Sequence, residues 1–339
     1  MSNKKILNLF RERNVFNAVI LLGLISLVVI LSLSRGSVEL SNEEIIKAFL
    51  RQGDITNQII FWELRLPRLI ASLMVGSALG MSGALLQGML RNGLASPYLL
   101  GISAGSGLVI VLFISLGLWL SWIPIAAWLG AICTTLIVYF LAKSGSSISV
   151  ERLILGGVAL SSLFGSIQSM LLLQTEDGRV QSALTWLIGS LNSRGWSEIN
   201  LAGPPIIFAL IMGLLLSKQL NLLGLGDELS IGLGNSLFRS RCLIGAAATL
   251  LAASSVSVGG LIGFIGLIVP HAVRFLFGTD YRVVLPFSAL LGAFTLSAAD
   301  LIARSGSIEL PVGIITSLLG APIFIALLYG RQKTLTSFK

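Results

Sequence analysis

The side chains able to do chemistry in this chain are few, and most stand where apolar runs end. The only histidine, His271, follows Pro270 near a helix end and reads as structural. One histidine cannot build a paired-histidine metal motif. No glycine is followed by lysine, so the chain lacks the phosphate-cradling loop through which a Walker A protein holds ATP. Cys133 and Cys242 lie in apolar runs without a partner at metal or disulfide spacing, and read as small buried hydrophobes. No nucleophile–base pair or cluster of metal ligands emerges, which argues against an enzyme. Asp300, one turn before Arg304, is the deepest acidic residue and still lies near a span end. Ion-driven transport normally needs an ionisable group at mid-membrane, so an energy source in another subunit is expected.

Three polar constellations remain. Arg65-Leu-Pro-Arg68 and Arg304 fall at the outer ends of apolar spans, against the usual bias of cations to the inside. Such arginines either snorkel along the lipid boundary or offer planar forks to carboxylates of a soluble partner. Asp300 could instead hold Arg304 as a local i,i+4 bridge. The second constellation is the inner turn Gln87 to Pro97, which places Asn92 and Leu94 at the inner end of any pathway. The third is Gly224-Leu-Gly-Asp-Glu228, followed by Gly232-Leu-Gly234. Glycines bracketing a short polar segment predict two small helices on the inner face, where a partner could grip Gly226, Asp227 and Glu228.

The elements that position these groups are membrane helices. The chain is 55% hydrophobic and 11% charged, with a mean hydropathy of +0.92. That composition predicts an all-α polytopic membrane protein, one domain over residues 1–339. Ten spans fit, near residues 15–34, 66–89, 97–116, 122–142, 152–173, 200–217, 241–258, 265–278, 282–304 and 311–329. The first is too long for a signal peptide and lacks a cleavage site, so it is read as a retained helix. On this layout fifteen of the 23 Lys and Arg residues fall on one side, which predicts that both termini and the segment 1–14 are cytoplasmic. The net charge of +8 is thus explained by topology.

Cys242 to Val273 has no formal charge over 32 residues, too long for one crossing of roughly 20 residues and short for two. A hairpin with a short, partly irregular return limb is expected. Its glycine-rich centre disfavours helix, and irregular backbone at membrane depth needs partners from surrounding protein or a water-filled cavity. Ser41-Asn-Glu-Glu44 predicts a capped helix over 42–50 in an outer loop. Ala183 to Leu191 predicts a surface or re-entrant helix beside the outer mouth. Residues 217–241 form an inner loop. Small residues recur from Gly76 to Ala84 and from Gly101 to Gly107, suited to close helix packing or to sliding walls. Leu66-Pro-Arg and Leu310-Pro-Val share the spacing of a weak repeat, both entering from outside.

Taken together, Arg65-Leu-Pro-Arg68, Ser82-Gly-Ala-Leu-Leu-Gln87, Arg91-Asn-Gly-Leu-Ala95, Gly226-Asp-Glu228, Gly263 to Arg274, Ala299-Asp-Leu-Ile-Ala-Arg304 and Glu309-Leu-Pro-Val-Gly313 resemble the FecCD permeases. These are membrane subunits of type II ABC importers for iron-siderophores, haem and vitamin B12. The resemblance implies the ten-helix fold of the vitamin B12 permease BtuC and a second permease subunit, identical or paralogous. It also implies two ATP-binding subunits, which would carry ATP and magnesium, and an external substrate-binding protein. Arg65, Arg68 and Arg304 would dock that protein, Asn92 and Leu94 would form part of a cytoplasmic gate, and Gly226, Asp227 and Glu228 would begin the segment coupled to the ATPase. The chain itself would hold no cofactor and would sit in the bacterial inner membrane. Gly93 departs from the family pattern, which has proline between that asparagine and leucine; glycine there predicts a looser turn.

Overall fold

The structure is a computed structural model that describes residues 3–36, 38, 40–118, 122–144, 147–306 and 308–336. Among the described residues fifteen α-helices follow one another: α1 (Asn3–Ser34), α2 (Asn42–Phe49), α3 (Ile55–Ile59), α4 (Leu66–Leu90), α5 (Ile102–Ser115), α6 (Ile123–Ala142), α7 (Val150–Leu173), α8 (Asp177–Ile188), α9 (Trp196–Leu215), α10 (Ser217–Gly224), α11 (Asp227–Gly232), α12 (Leu237–Gly259), α13 (Ile265–Phe277), α14 (Tyr281–Ala303) and α15 (Val312–Thr336). Among the described residues seven helical stretches are long and apolar enough to cross a membrane, and shorter apolar helices lie at Ile102–Ser115, Ile265–Phe277 and Val312–Ala326. These ten fall on the ten expected spans. A two-residue antiparallel ladder, β1 (Lys143–Ser144) with β2 (Ser147–Ile148), closes the turn between α6 and α7, with Lys143 opposite Ile148.

The core is α4, buried along most of its length against α9, α12, α13 and α14. Its small residues set the spacing. A Cβ on Gly76 would fall within 2.9 Å of the backbone carbon of Gly292, and one on Gly83 within 2.7 Å of Gly266 Cα. Hydrophobic transfer gives helices in lipid little reason to associate, so close backbone packing and hydrogen bonds must hold them. Ser82 supplies one such bond, its hydroxyl donating to Ala248 O at 2.7 Å from α4 to α12. By contrast α1 packs chiefly against α14 and leaves Val15, Phe16, Val19 and Leu22 exposed.

The uncharged stretch makes the expected hairpin. Helix α12 ends at Gly259, and residues 260–264 are irregular before the thirteen-residue α13 returns. Gly260 at φ +70° sits where a Cβ would strike Trp186 O, so only glycine fits this bend. The freed backbone groups find protein partners: Ser190 N–H donates to Gly259 O at 2.9 Å, Leu261 N–H to Trp186 O at 3.2 Å and Gly313 N–H to Gly189 O at 3.0 Å. Irregular backbone is thus satisfied by the end of α8, as burial requires.

Two expectations need correction. The stretch before α4 is helical from Ile55 and passes through a π-turn at Ile60–Arg65, where the span was expected to begin only near residue 66; Asp54 caps it by accepting from Thr56 N–H at 3.3 Å. The inner loop ends earlier than residue 241, because α12 begins at Leu237 and carries Arg239 and Arg241 on its first turns. The predicted α2 forms with its capping box complete, and α10 and α11 are the two small helices expected in the inner loop.

Candidate functional site

Functional side chains gather at opposite ends of the bundle, one marked by α2 and α8 and the other by α10 and α11.

At the α2 end the three arginines come together, with their guanidinium groups turned inward. The π-turn, a form enriched at functional positions, delivers Arg65 into the body of the protein, where it is 5% exposed. It donates to Leu33 O, to Ser34 O at 3.0 Å and to Val38 O. Arg304, the residue that closes α14, donates to Ser32 O at 2.8 Å and to the Ser32 hydroxyl. A helix leaves its last carbonyls without intrahelical donors, at the negative end of its dipole. Two arginines from other elements therefore cap α1. Arg68 meets Asp300, with Nε 3.0 Å from Oδ1 and Nη2 2.8 Å from Oδ1, and also pairs with Glu309. Arg304 Nε stands 3.7 Å from the other Asp300 oxygen. The local bridge to Arg304 that the spacing left open is present only as a longer contact; the main partner of Asp300 is Arg68, 232 residues earlier.

These groups line a cavity of about 830 Å³ that also presents Arg35, Glu63 and Arg194. Sequence reasoning passed over Arg194. Its guanidinium lies 4.1 Å from the Trp186 ring centre, an attractive cation–π arrangement, while its Nε is buried without a hydrogen-bond acceptor. Burial also lowers its pKa.

At the α11 end, α4 stops at Arg91, whose left-handed backbone (φ 50°, ψ 33°) ends the helix. Asn92 shapes the turn: its N–H donates to Gln87 O at 3.1 Å and its side-chain oxygen accepts from Leu94 N–H at 2.9 Å. Gly93 has open space around it and is absent from the positive-φ glycines. The turn therefore owes its form to asparagine, a residue suited to such local bonds, and the loosening expected of glycine is not needed to make it. Leu94 projects, half exposed. Gln87 pins the turn from beneath, donating to Ala95 O at 3.2 Å and Leu267 O at 3.1 Å while accepting from Arg274.

Helix α11 begins at Asp227 after Gly226, whose φ of +104° turns the chain. Asp227 faces inward. Its carboxylate accepts from Arg91 and from Arg241 Nη2, at 3.0 Å to Oδ1 and 2.9 Å to Oδ2. Glu228 is exposed, and so are Leu225, Leu229, Ile231 and Leu233. Behind them Asn235 ties the end of α11 to α12, donating to the Ser230 hydroxyl at 2.8 Å and accepting from Ser240 at 2.6 Å. Arg241, like Arg194, escaped the sequence reading, since fourteen residues of separation from Asp227 carry no periodic signal.

Between the two ends, a second cavity of about 840 Å³ is walled by Leu79, Pro97, Ile262, Phe264, Leu267 and Leu318, among others. Apolar side chains dominate it. Among the described residues no group of three or more His, Cys, Asp or Glu is placed to hold a metal ion.

Known proteins resemble the chain over most of its length. The cobalamin import permease BtuC of Halobacterium salinarum is 39% identical, with 82% of this chain and 75% of that protein covered. The iron(3+)-hydroxamate import permease FhuG of Bacillus subtilis is 36% identical, with 90% and 94% covered. A solved structure described as an inward-facing ABC transporter of metal-chelate type superposes with a TM-score of 0.84 at 32% identity, covering 91% of this chain and 97% of its own. Residues 24–330 match the FecCD transport family, and the chain belongs to that family.

Proposed function

We propose that this chain is the permease of a binding-protein-dependent ABC importer in the bacterial inner membrane, and that it passes an iron chelate, a siderophore complex or haem, toward the cytoplasm. The observation that carries the reading is the ridge formed by Leu225, Glu228, Leu229, Ile231 and Leu233. Four large apolar side chains exposed around a short helix outside the spans are costly in water unless a partner covers them, and here the partner is an ATP-binding subunit. On this reading the α11 end is cytoplasmic, with both termini beside it, and the α2 end faces outward. The arginine-rich cavity, with Arg65, Arg68 and Arg304 in its walls, receives carboxylates of the substrate-binding protein. A second permease subunit completes the pathway of which the apolar cavity is one wall, and Asn92 and Leu94 close its inner end. The chain performs no covalent chemistry; ATP and magnesium belong to the partner ATPase. Asp300 weighs against an ion-coupled transporter. It is the buried carboxylate nearest the membrane interior, yet it lies one turn from the end of α14 and is already paired.

The test is reconstitution in liposomes with the ATPase and the binding protein encoded beside it, supplied in turn with a ferric hydroxamate, haemin and cobalamin. ATP-dependent uptake of an iron chelate is expected, and Leu229→Asp is expected to release the ATPase during purification. Uptake driven by a proton gradient through this chain alone would overturn the reading. ATP-dependent uptake of cobalamin only would keep the importer and change its substrate.

A further inference from the structure

Asp227 joins three elements that the chain separates widely. It opens α11, and it is held by Arg91 at the end of α4 and by Arg241 on α12. Arg241 does not stop there. It is 4% exposed, and its other terminal nitrogen donates to Ile148 O at 3.0 Å, in the β1–β2 ladder between α6 and α7. From Arg91 the chain runs directly into Asn92 and Leu94. Two bonded routes thus leave one carboxylate, one to the turn at 91–95 and the other to Ile148 on β2.

We infer that Asp227 is a positioning residue that makes α11 move as one body with α12 and the β1–β2 ladder and, through Arg91, draws the 91–95 turn with it, so that displacement of α11 reaches the inner end of the pathway. The inference rests on the importer reading above and deepens it. The pair with Arg241 is not an ordinary surface bridge, since exposed pairs contribute little whereas a desolvated guanidinium that loses its carboxylate is left without a counter-charge. Only one side of Asp227 is so tied, because Arg91 is half exposed and its side chain is 40% accessible. The link therefore holds α11 firmly to α12 and the β1–β2 ladder and draws the 91–95 turn along through a bond that yields more readily. Glu228, next in sequence, turns outward with the apolar ridge and has no part in this network. Adjacent carboxylates thus divide the work, one toward the partner and the other toward the membrane helices.

The test uses the whole complex in liposomes, with the probe ligand being whichever chelate the wild type takes up. In Asp227→Ala the ATPase subunit is expected to co-purify as before, while ligand transported per ATP hydrolysed falls about tenfold, the scale of a typical coupling between sites. Asp227→Asn, which keeps an acceptor oxygen, is expected to recover part of that loss. A nitroxide placed on a Gly93→Cys variant, where the surroundings are open, reports the turn directly. Its spectrum should respond to nucleotide in the otherwise unaltered complex and cease to respond in Asp227→Ala. If the alanine variant does not fold, the same readings on Asp227→Asn decide. An unchanged transport-to-hydrolysis ratio, or a label that still follows nucleotide, would overturn the inference, as would loss of the ATPase subunit, which would place Asp227 in the docking surface. Absence of ATP-driven uptake in the wild type would instead overturn the importer reading, before any variant is compared.

Discussion

Replacing Asp300 by alanine should be among the most damaging single changes in the protein. Its carboxylate is 1% exposed and lies between Arg68, 12% exposed, and Arg304, 8% exposed. Without it, two desolvated guanidinium groups face each other with Glu309 as the one carboxylate still bonded to Arg68, at the rim of the cavity. Removing one partner of a buried ion pair costs about 3–5 kcal/mol, set against a total stability of about 5–15 kcal/mol for an ordinary domain. Asp300→Ala is therefore expected to lose about 4 kcal/mol. Asp300→Asn keeps the volume and one acceptor, and should lose less. Arg68→Ala should also be milder, because Arg304 remains as counter-ion to Asp300 and Glu309 can turn to water. The double variant Asp300→Ala with Arg68→Ala should lose less than the two singles together, as contacting residues do. Equilibrium unfolding in mixed micelles, following tryptophan fluorescence, measures all four. A loss below about 1 kcal/mol for Asp300→Ala, as for an exposed pair, or strict additivity in the double variant, would refute the argument.

Gly83→Ala would force a methyl group against the backbone of Gly266 and should destabilise the protein by about 1–3 kcal/mol or more, the usual range for overpacking; Gly93→Ala, in open space, should be neutral in the same unfolding measurement. Glu44 accepts from Ser41 N–H at 2.7 Å, and that backbone bond holds its carboxyl below the usual range. The stabilisation is then present above the unfolded pKa of about 4.3 and is lost as pH falls through the lower folded value, which amide hydrogen exchange at Ser41 and Glu44 should show as fraying of α2 in acid.

The spans were legible because twenty-residue apolar runs have no other use, and the break at 260–264 was legible because glycine is the residue that bends backbone at small cost. Side-chain direction was not. The pattern Arg65-Leu-Pro-Arg68 places two cations at the start of α4, but a π-turn of one extra residue per turn decides that Arg65 looks inward, and nothing in Ile60 to Leu64 announces it. The partner of Asp300 was hidden for a different reason. An i,i+4 bridge to Arg304 is visible in any helical sequence, whereas Arg68 reaches it only because Gly76, Gly80 and Gly292 let α4 and α14 touch. The segment around Gly226 and Asp227 showed the opposite balance. Its glycines located α11 correctly, yet treating Asp227 and Glu228 as one acidic pair concealed that they face opposite ways.

The two ends of the bundle use ion pairs of different kinds, and the difference bears on which end can move. At the α2 end Arg65, Arg68 and Arg304 are each committed to a fixed acceptor: carbonyls at the end of α1 for Arg65 and Arg304, and the buried Asp300 with Glu309 for Arg68. Separating these elements strands a desolvated charge, which is expensive, so they behave as a rigid frame. At the α11 end one carboxylate, 37% accessible, is shared between a buried arginine and a half-exposed one. Arg91 can leave it for water at small cost, as exposed pairs do, while Arg241 cannot. Rearrangement during transport is then expected to shift the turn at 91–95 before anything at the α2 end yields. That is the order needed if a ligand entering between the α2-end arginines is to leave beside Asn92 and Leu94 without the outer frame opening behind it.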